Sequence, residues 1–391
     1  MTILFPYMAR WNSANMSRYY HLFNKVADLG HNVIVVQPPP RSSEETNYID
    51  LPLQSHPNIT LFTVRMPAWL WNLKFPVDKF IKKALYTVGS FFLIRRLKKE
   101  HTPDALVLYN IPQYIYTWWN DAPVVFDYAD DYTAMLQHEL GISPSNPAAK
   151  FTSYILNRLT QKATLVTSVS QVLNDRVQHP NKRLLPNGAD VTIPRGERTI
   201  LHIDKNKPVI GYVGAFEYFI DLDLMLSAAE NLASCTFLFV GAGRKFAWFK
   251  EEVITRKLTN VILTGAVPHH QAMQFISEMD ICLNLFVPGP VADAASPIKL
   301  FEYLASGKPV ITTCLKETQR IDREMHSLFY AGNLPELIDR VKYILTNESV
   351  VAQNVARARD LVTSSYSWTS IARDFVDGLE KTLEARHSTA A

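Results

Sequence analysis

The stretch Ser296–Ile311, SPIKLFEYLASGKPVI, sets a serine, a proline, a lysine and a glutamate close together. The spacing predicts a short helix with Ser296 as its N-cap and Pro297 at the first helical position. Proline has no N–H, so the free donors of the first turn belong to Ile298 and Lys299. They lie at the positive end of the helix dipole, where an anion binds. Lys299 adds a full charge there. Glu302 follows one turn on, and a carboxylate is a poor phosphate ligand but a good acceptor for two hydroxyls such as a ribose diol. Ala305, Ser306 and Gly307 stop the helix, and KPVITT starts a strand. The stretch therefore reads as a site for a nucleoside diphosphate. The plainer alternative is a capped surface helix whose Lys299–Glu302 pair is worth about 0.2–0.5 kcal/mol. The preceding DICLNLFVPGPVADAASP, a strand running into a long Pro/Gly/Ala loop, favours the binding site.

A second constellation is VVFDYADDYTAM, with Asp127, Asp130 and Asp131 just past the end of a strand. Neighbouring carboxylates raise one another's pKa, and one of them can act as general base toward a hydroxyl. Three other readings compete: Asp130 as a helix cap, a solvated turn, or a Mg²⁺ or Mn²⁺ site, although the order is D-x-x-D-D and not D-x-D. Elsewhere FVGAGRKF lacks the third glycine of a dinucleotide fingerprint. His21 and His31 read as structural, Arg10 in MARWNSAN as a cleft residue, and Asn187–Gly188 as a hinge turn.

Charge is uneven. The whole chain carries +3, yet nine bases and two acids fall between Arg65 and Glu100, a local net of +7. There Trp69 and Trp71 interleave with Lys82, Lys83, Arg95 and Arg96. Tryptophan beside basic residues on an apolar helix suits an anionic membrane surface. Nucleic acid is the disfavoured partner, and a solvated helix with core aromatics is the plain alternative.

The elements that must position these residues follow from the apolar pattern. A chain of 391 residues is too long for one core and suits two domains. TILFPYM, NVIVVQP, DALVLYN, APVVFDY and ATLVTSV read as a first set of parallel strands separated by helices, the first helix running from about Ser13 to Gly30. PVIGYVG, CTFLFVG, NVILTG, DICLNLF and KPVITT form a second set. The polar stretch between Pro186 and Pro208 reads as a linker, and YSWTSIARDFVDGLEKTLEA as a last amphipathic helix. The expected fold is α/β with two Rossmann-like domains, 1–190 and 205–365, around a cleft, and a C-terminal segment 366–391 packing back on the first. Ligands of such sheets bind past the carboxyl ends of the strands. Three isolated cysteines, the lack of a signal-peptide pattern and the lack of an 18-residue apolar run point to a cytoplasmic protein.

SPIKLFEYLASGKPVI, with HLFNKVADLGHNVIVV, SVSQVL, LLPNGAD, IGYVGAF, LFVGAG, VILTGAVPHHQAMQF and YSWTSIA in this order, resembles the GT-B glycosyltransferases, most closely family 4 of bacterial cell-surface glycan synthesis. The resemblance implies a nucleotide diphosphate sugar, with UDP or GDP, held by the second domain. It implies a lipid-linked or oligosaccharide acceptor held by the first, a peripheral position on the inner membrane face, and no metal or other cofactor. By position, Glu302 would hold the ribose. Lys299 and the backbone of Ser296, Pro297 and Ile298 would hold the diphosphate. Ala266 and Val267 would face the base, and Gly214 would allow close approach. Two departures stand out. GAFEYFIDLDLM lacks the Arg/Lys pair that commonly clamps the diphosphate, which shifts weight to Lys299, the helix dipole, Arg10 or Arg244. Ala294 stands where the paired-glutamate motif has an acid. The Ser-x-Ile-Lys spacing is also similar to that of the xanthan glucuronosyltransferases, which invert, so retention and inversion both stay open. An epimerase of the same fold and a non-catalytic binding protein are the competing functions.

Overall fold

Short runs of three to six residues, most of them rich in β-branched and aromatic side chains, build two parallel sheets. A computed structural model describes residues 1–11, 17–40, 56–73, 78–118, 122–190, 203–204 and 206–390. The chain divides into two compact units. The first holds the residues up to Pro186 together with Ile371–Ala391, and the second holds Asn187–Ser370.

The first unit contains β1 (Thr2–Pro6), α1 (Arg18–Asp28), β2 (Asn32–Gln37), β3 (Ile59–Thr63), α2 (Ala68–Asn72), α3 (Asp78–His101), β4 (Ala105–Leu108), β5 (Val124–Tyr128), α4 (Tyr132–Leu140), α5 (Pro147–Lys162), β6 (Leu165–Ser168), α6 (Gln171–Arg176) and β7 (Lys182–Leu184). A 3-10 segment, Ile111–Trp118, follows β4. The strand order is β3-β2-β1-β4-β5-β6-β7, parallel throughout. Its direction of growth reverses between β1 and β4, the switch point where such sheets open a crevice.

The second unit contains β8 (Val209–Val213), α7 (Leu222–Asn231), β9 (Thr236–Val240), α8 (Phe246–Thr255), β10 (Val261–Gly265), α9 (His269–Glu278), β11 (Ile281–Asn284), α10 (Pro290–Asp293), α11 (Ile298–Ala305), β12 (Val310–Thr312), α12 (Lys316–Met325), β13 (Leu328–Tyr330), α13 (Leu334–Thr346) and α14 (Glu348–Ser365). Helix α15 (Trp368–Ala390) starts here and continues in the first unit. The order is β10-β9-β8-β11-β12-β13, again parallel. Alternate residues of one strand serve opposite faces. Ile210 and Tyr212 enter one apolar cluster with Phe216, Phe239 and Phe249, and Val209 and Val213 enter the other with Met279, Leu300 and Tyr303.

The apolar runs predicted from sequence are β1, β2, β4, β5, β6 and β8–β12. Strands β3, β7 and β13 carried no such signal. Each is a sheet edge, paired on one side only, and two of them span three residues, too few to show a period. The predicted helix start near Ser13 lies outside the described residues, and α1 is seen from Arg18. Most of the predicted linker, 191–202 and 205, also lies outside them. No helix among the described residues is long and apolar enough to cross a membrane.

Candidate active site

In the second unit the loops after β8, β9 and β10 are tied together by backbone hydrogen bonds. Gly214 N donates to Val240 O at 2.9 Å, Phe216 N to Ala242 O at 3.1 Å, and Gly241 N to Gly265 O at 2.9 Å. Gly241 has φ +128°, and a Cβ there would lie 2.1 Å from Gly214 O. The glycines of FVGAG thus let two loops cross and do not form a dinucleotide cradle. Gly214 has φ +145°, and its missing Cβ leaves room for the end of Lys299, whose Cε and Nζ would lie 2.9 Å from it.

Lys299 Nζ donates to Tyr212 Oη at 2.9 Å, and Tyr212 Oη donates to Ala215 O at 2.7 Å. The ammonium also stands 4.5 Å from the centre of the Tyr212 ring and 5.8 Å from that of Phe286. Burial among these rings pushes its pKa down to about 7, with Glu302 opposing. Part of the residue still meets solvent, and water on that side moderates the depression. Desolvation disfavours the charged form of a lysine, and an incoming anion restores it.

Helix α11 carries this lysine in its first turn. Its N-cap is Pro297, in extended backbone with no side-chain cap. Ser296, read as the cap, instead accepts from Asn187: its O from Nδ2 at 2.5 Å and its Oγ from the backbone N at 3.4 Å. Ser296 thus stands one residue ahead of the N-cap and faces the Asn187 loop. Asn187, read as part of a hinge turn, is an anchor for the start of α11. Leu300 N bonds Pro297 O at 3.1 Å. This leaves Ile298 and Lys299 as the N–H groups ahead of the helical ladder.

Glu302 is buried, 8% exposed. Its Oε1 accepts from His269 Nε2 at 2.7 Å. Burial pulls the His269 pKa down, but the Glu302 hydrogen bond and charge, with Asp190 adding, outweigh it and the net shift is upward. The surface Lys299–Glu302 pair is not what the structure contains: each of the two has its own partner. Ala266 and Val267, both partly buried, join Gly265 (φ +71°) to Pro268, the N-cap of α9, whose first residue is His269. Arg244 is held by Glu217 at 2.5 Å and lies 5.2 Å from the centre of the Tyr218 ring, half in solvent. Glu217 thus offsets part of the charge that Arg244 could bring to a diphosphate. Sequence reasoning missed Tyr212 and His269, which sit near the end of β8 and at the start of α9, two residues from Gly214 and Val267.

The acidic cluster belongs to the first unit, and the structure separates its members. Asp127, on β5, is 1% exposed and locked. Arg18 donates to it through Nε at 2.8 Å and Nη2 at 3.1 Å, and Thr167 Oγ1 at 2.6 Å. Arg18 also donates to Leu185 O and Pro186 O, each at 2.9 Å. This satisfies a buried ion pair and fixes the strand ends, so the expected base role does not suit Asp127. Asp131 caps α4, accepting from Ala134 N at 3.0 Å, and pairs with Arg176. The cap expected of Asp130 is therefore Asp131. Asp130 is left with an exposed surface. Desolvation on its inner side pushes its carboxyl up to about 6, helped by Asp127 and Asp131 and opposed by Lys83 and Arg18. Water at the exposed side moderates the shift but not its direction. Arg10 Nη1 reaches Pro38 O at 3.5 Å.

The basic–aromatic segment is sorted likewise. Trp71 and Lys82 are internal, 4% and 5% exposed, with the Lys82 ammonium donating to Trp71 O and lying 5.1 Å from the centre of the Trp71 ring. They cannot meet a membrane surface. Trp69, Arg95 and Arg96 are exposed, and Lys83 is partly so. Val88 and Phe92, 68% and 73% exposed, join them, as does Trp118 at 63%.

Residues 223–377 match the family described as "Glycosyl transferase-like". A glycosyltransferase of Bacillus subtilis (strain 168) assigned by name to teichuronic acid biosynthesis, TuaH, is 26% identical over 257 residues, 61% of this chain. The match spans 60% of that relative's length. Sucrose-phosphate synthase of Thermosynechococcus elongatus is 15% identical with a TM-score of 0.74, over 98% of this chain and 100% of that one. HepE of Anabaena, solved in complex with UDP, is 14% identical with a TM-score of 0.66, over 97% of this chain and 100% of that one. The chain has the fold of the GT-B glycosyltransferases, two parallel Rossmann-like sheets in an α/β arrangement.

Proposed function

We propose that this protein is a glycosyltransferase of family-4 type that moves a sugar from a UDP- or GDP-sugar to a lipid-linked saccharide during cell-surface polysaccharide synthesis. One observation carries the reading: Lys299 is held over Gly214 at the open start of α11, with Glu302 one turn further on. The first-turn N–H groups and the ammonium would meet the diphosphate, and the carboxylate the ribose diol. Charge developing on the leaving diphosphate is then stabilised by groups already in place, without a metal ion. The Gly265–Pro268 backbone would face the base. HepE, solved with UDP, supports the donor class, and TuaH, assigned by name to teichuronic acid synthesis, supports the cell-surface glycan setting.

With the diphosphate able to take the acceptor proton, retention needs no separate base. Asp130 favours a second reading, inversion as in glucuronosyltransferase-like enzymes, because an exposed carboxyl raised above its ordinary value by desolvation can accept a hydroxyl proton. The anomeric configuration of the product decides between them. Peripheral binding to the inner face of the cell membrane is part of the proposal, carried by Val88, Phe92 and Trp118 beside Arg95 and Arg96.

The test is a thermal-shift panel of nucleoside diphosphates and their sugars on the intact chain, because a bound donor raises the melting temperature by mass action. UDP or GDP is expected to stabilise wild type and to act weakly on Glu302→Ala. No shift with any member, or equal shifts in both proteins, overturns the assignment. A new sugar isomer formed from donor alone would mark an epimerase instead.

A further inference from the structure

The lysine and glutamate of α11 are three residues apart, the spacing at which opposite charges on a helix meet. If they met here, each would neutralise the other, and the site would lose its diphosphate charge and its diol acceptor together. The structure shows a different pairing. Lys299 Nζ is committed to Tyr212 Oη at 2.9 Å. Glu302 Oε1 is committed to His269 Nε2 at 2.7 Å, with the two side chains 11% and 22% exposed. The backbone of His269 is set by its place in the fold, since Pro268 is the N-cap of α9 and His269 opens that helix. The turn before it is set by Gly265 at φ +71°. On the far side Tyr303, the residue after Glu302, fixes α11 to β8: its Oη accepts from Val213 N at 2.7 Å.

We infer that His269 is a positioning residue. By holding Glu302 Oε1 it keeps that carboxylate off Lys299 and aimed at the sugar of the nucleotide. The inference rests on the donor-site reading above. It also links two parts of recognition: His269 follows directly on the Gly265–Pro268 loop proposed to face the base, so one segment sets both base and ribose contacts. A nucleotide lacking the ribose hydroxyls would gain nothing from His269, whereas one that has them would.

The probes are UDP and 2′,3′-dideoxy-UDP, with the matching GDP pair, measured by calorimetry on wild type, His269→Ala, His269→Gln, Glu302→Ala and Lys299→Ala. Glutamine keeps an N–H able to reach the carboxylate, and alanine does not. Wild type is expected to prefer the ribose form. His269→Ala should weaken binding of the ribose form about tenfold and of the dideoxy form far less, the cost of one charge-assisted hydrogen bond. His269→Gln should recover most of the loss. Lys299→Ala should weaken both forms alike. If His269→Ala keeps the full preference while Glu302→Ala abolishes it, or if both forms weaken equally, the positioning role is wrong and the donor site stands. If wild type binds none of the four nucleotides, the donor site itself is wrong. Equal binding of both forms by wild type removes the ribose role of Glu302 and the inference with it.

Discussion

A lysine whose pKa sits at about 7 while its ordinary value is 10.5 must take up a proton when an anion arrives. At pH 8 such a group is charged in only about one molecule in eleven, and a bound diphosphate returns it to nearly full charge. Donor binding should therefore consume about 0.9 proton at pH 8 and about 0.1 at pH 6. The apparent affinity should fall about tenfold between these two values, because the charged fraction does. The groups that face the Lys299 ammonium are Tyr212, Phe286 and Glu302. Tyr212 has its own pKa pushed further up by burial and does not titrate in this range. Water on the partly exposed side of Lys299 makes the predicted uptake an upper figure. The assay is titration calorimetry of UDP-glucose in buffers of different ionisation enthalpy. A nucleotide sugar is chosen because its diphosphate is esterified at both ends and does not titrate near neutrality. Lys299→Met should bind more weakly and show no uptake beyond that of His269, which His269→Gln removes in turn. A pH-independent affinity in wild type from 6 to 8, or the same proton number in Lys299→Met, would refute the reasoning.

Two further outcomes follow from the first unit. Arg18→Ala leaves the Asp127 carboxylate buried without its ion-pair partner. It should lower the stability of that unit by about 3–5 kcal/mol in chemical denaturation followed by near-ultraviolet circular dichroism, and Asp127→Asn should cost less; equal stability of Arg18→Ala and wild type would contradict the lock. Phe92→Glu combined with Trp118→Glu should reduce co-sedimentation with phosphatidylglycerol vesicles about tenfold while leaving donor binding unchanged, and retained sedimentation would rule out this face.

The proposed donor site was partly legible because its key residues lie in one continuous stretch, where spacing alone puts Lys299 and Glu302 one turn apart. What spacing does not convey is the partner each side chain chooses. The same i,i+3 interval is compatible with a mutual ion pair and with two separate contacts. The choice is made by Tyr212 and His269, which are 87 and 33 residues away from their partners in the chain. Ser296 is not the cap because the helix starts one residue later, at Pro297, and the partner it has instead, Asn187, lies 109 residues upstream. The acidic cluster shows the effect in reverse. Three aspartates that look equivalent along the chain become one locked, one capping and one exposed carboxylate once Arg18, Ala134 and Arg176 are in place.

Helix α3 shows why the basic–aromatic segment was only partly legible. Its buried positions run through Lys82, Tyr86, Ser90, Ile94 and Leu97, a helical stripe that takes in a lysine and a serine. The stripe through Ala84, Val88, Phe92 and Arg96 is exposed. Polarity is thus inverted at Lys82 and Ser90 inside and at Val88 and Phe92 outside. Lys82 is tolerated inside because Trp71 supplies a carbonyl and a ring to its ammonium. Ser90 is tolerated because its hydroxyl bonds the Tyr86 carbonyl at 2.7 Å and Tyr116 Oη at 2.6 Å. No such compensation covers Phe92 on the outside. Phe91 packs 5.5 Å from it and 6.4 Å from Trp118, so the exposed rings stand together, with Arg95, Arg96 and Lys99 in the next turns. An apolar stripe on water is costly at about 25 cal/mol per Å², and its basic border is what an anionic lipid surface would cover. Of the residues that suggested a membrane from sequence, Trp71 and Lys82 are therefore internal, while Trp69, Arg95 and Arg96 stay on the surface, where Val88, Phe92 and Trp118 join them.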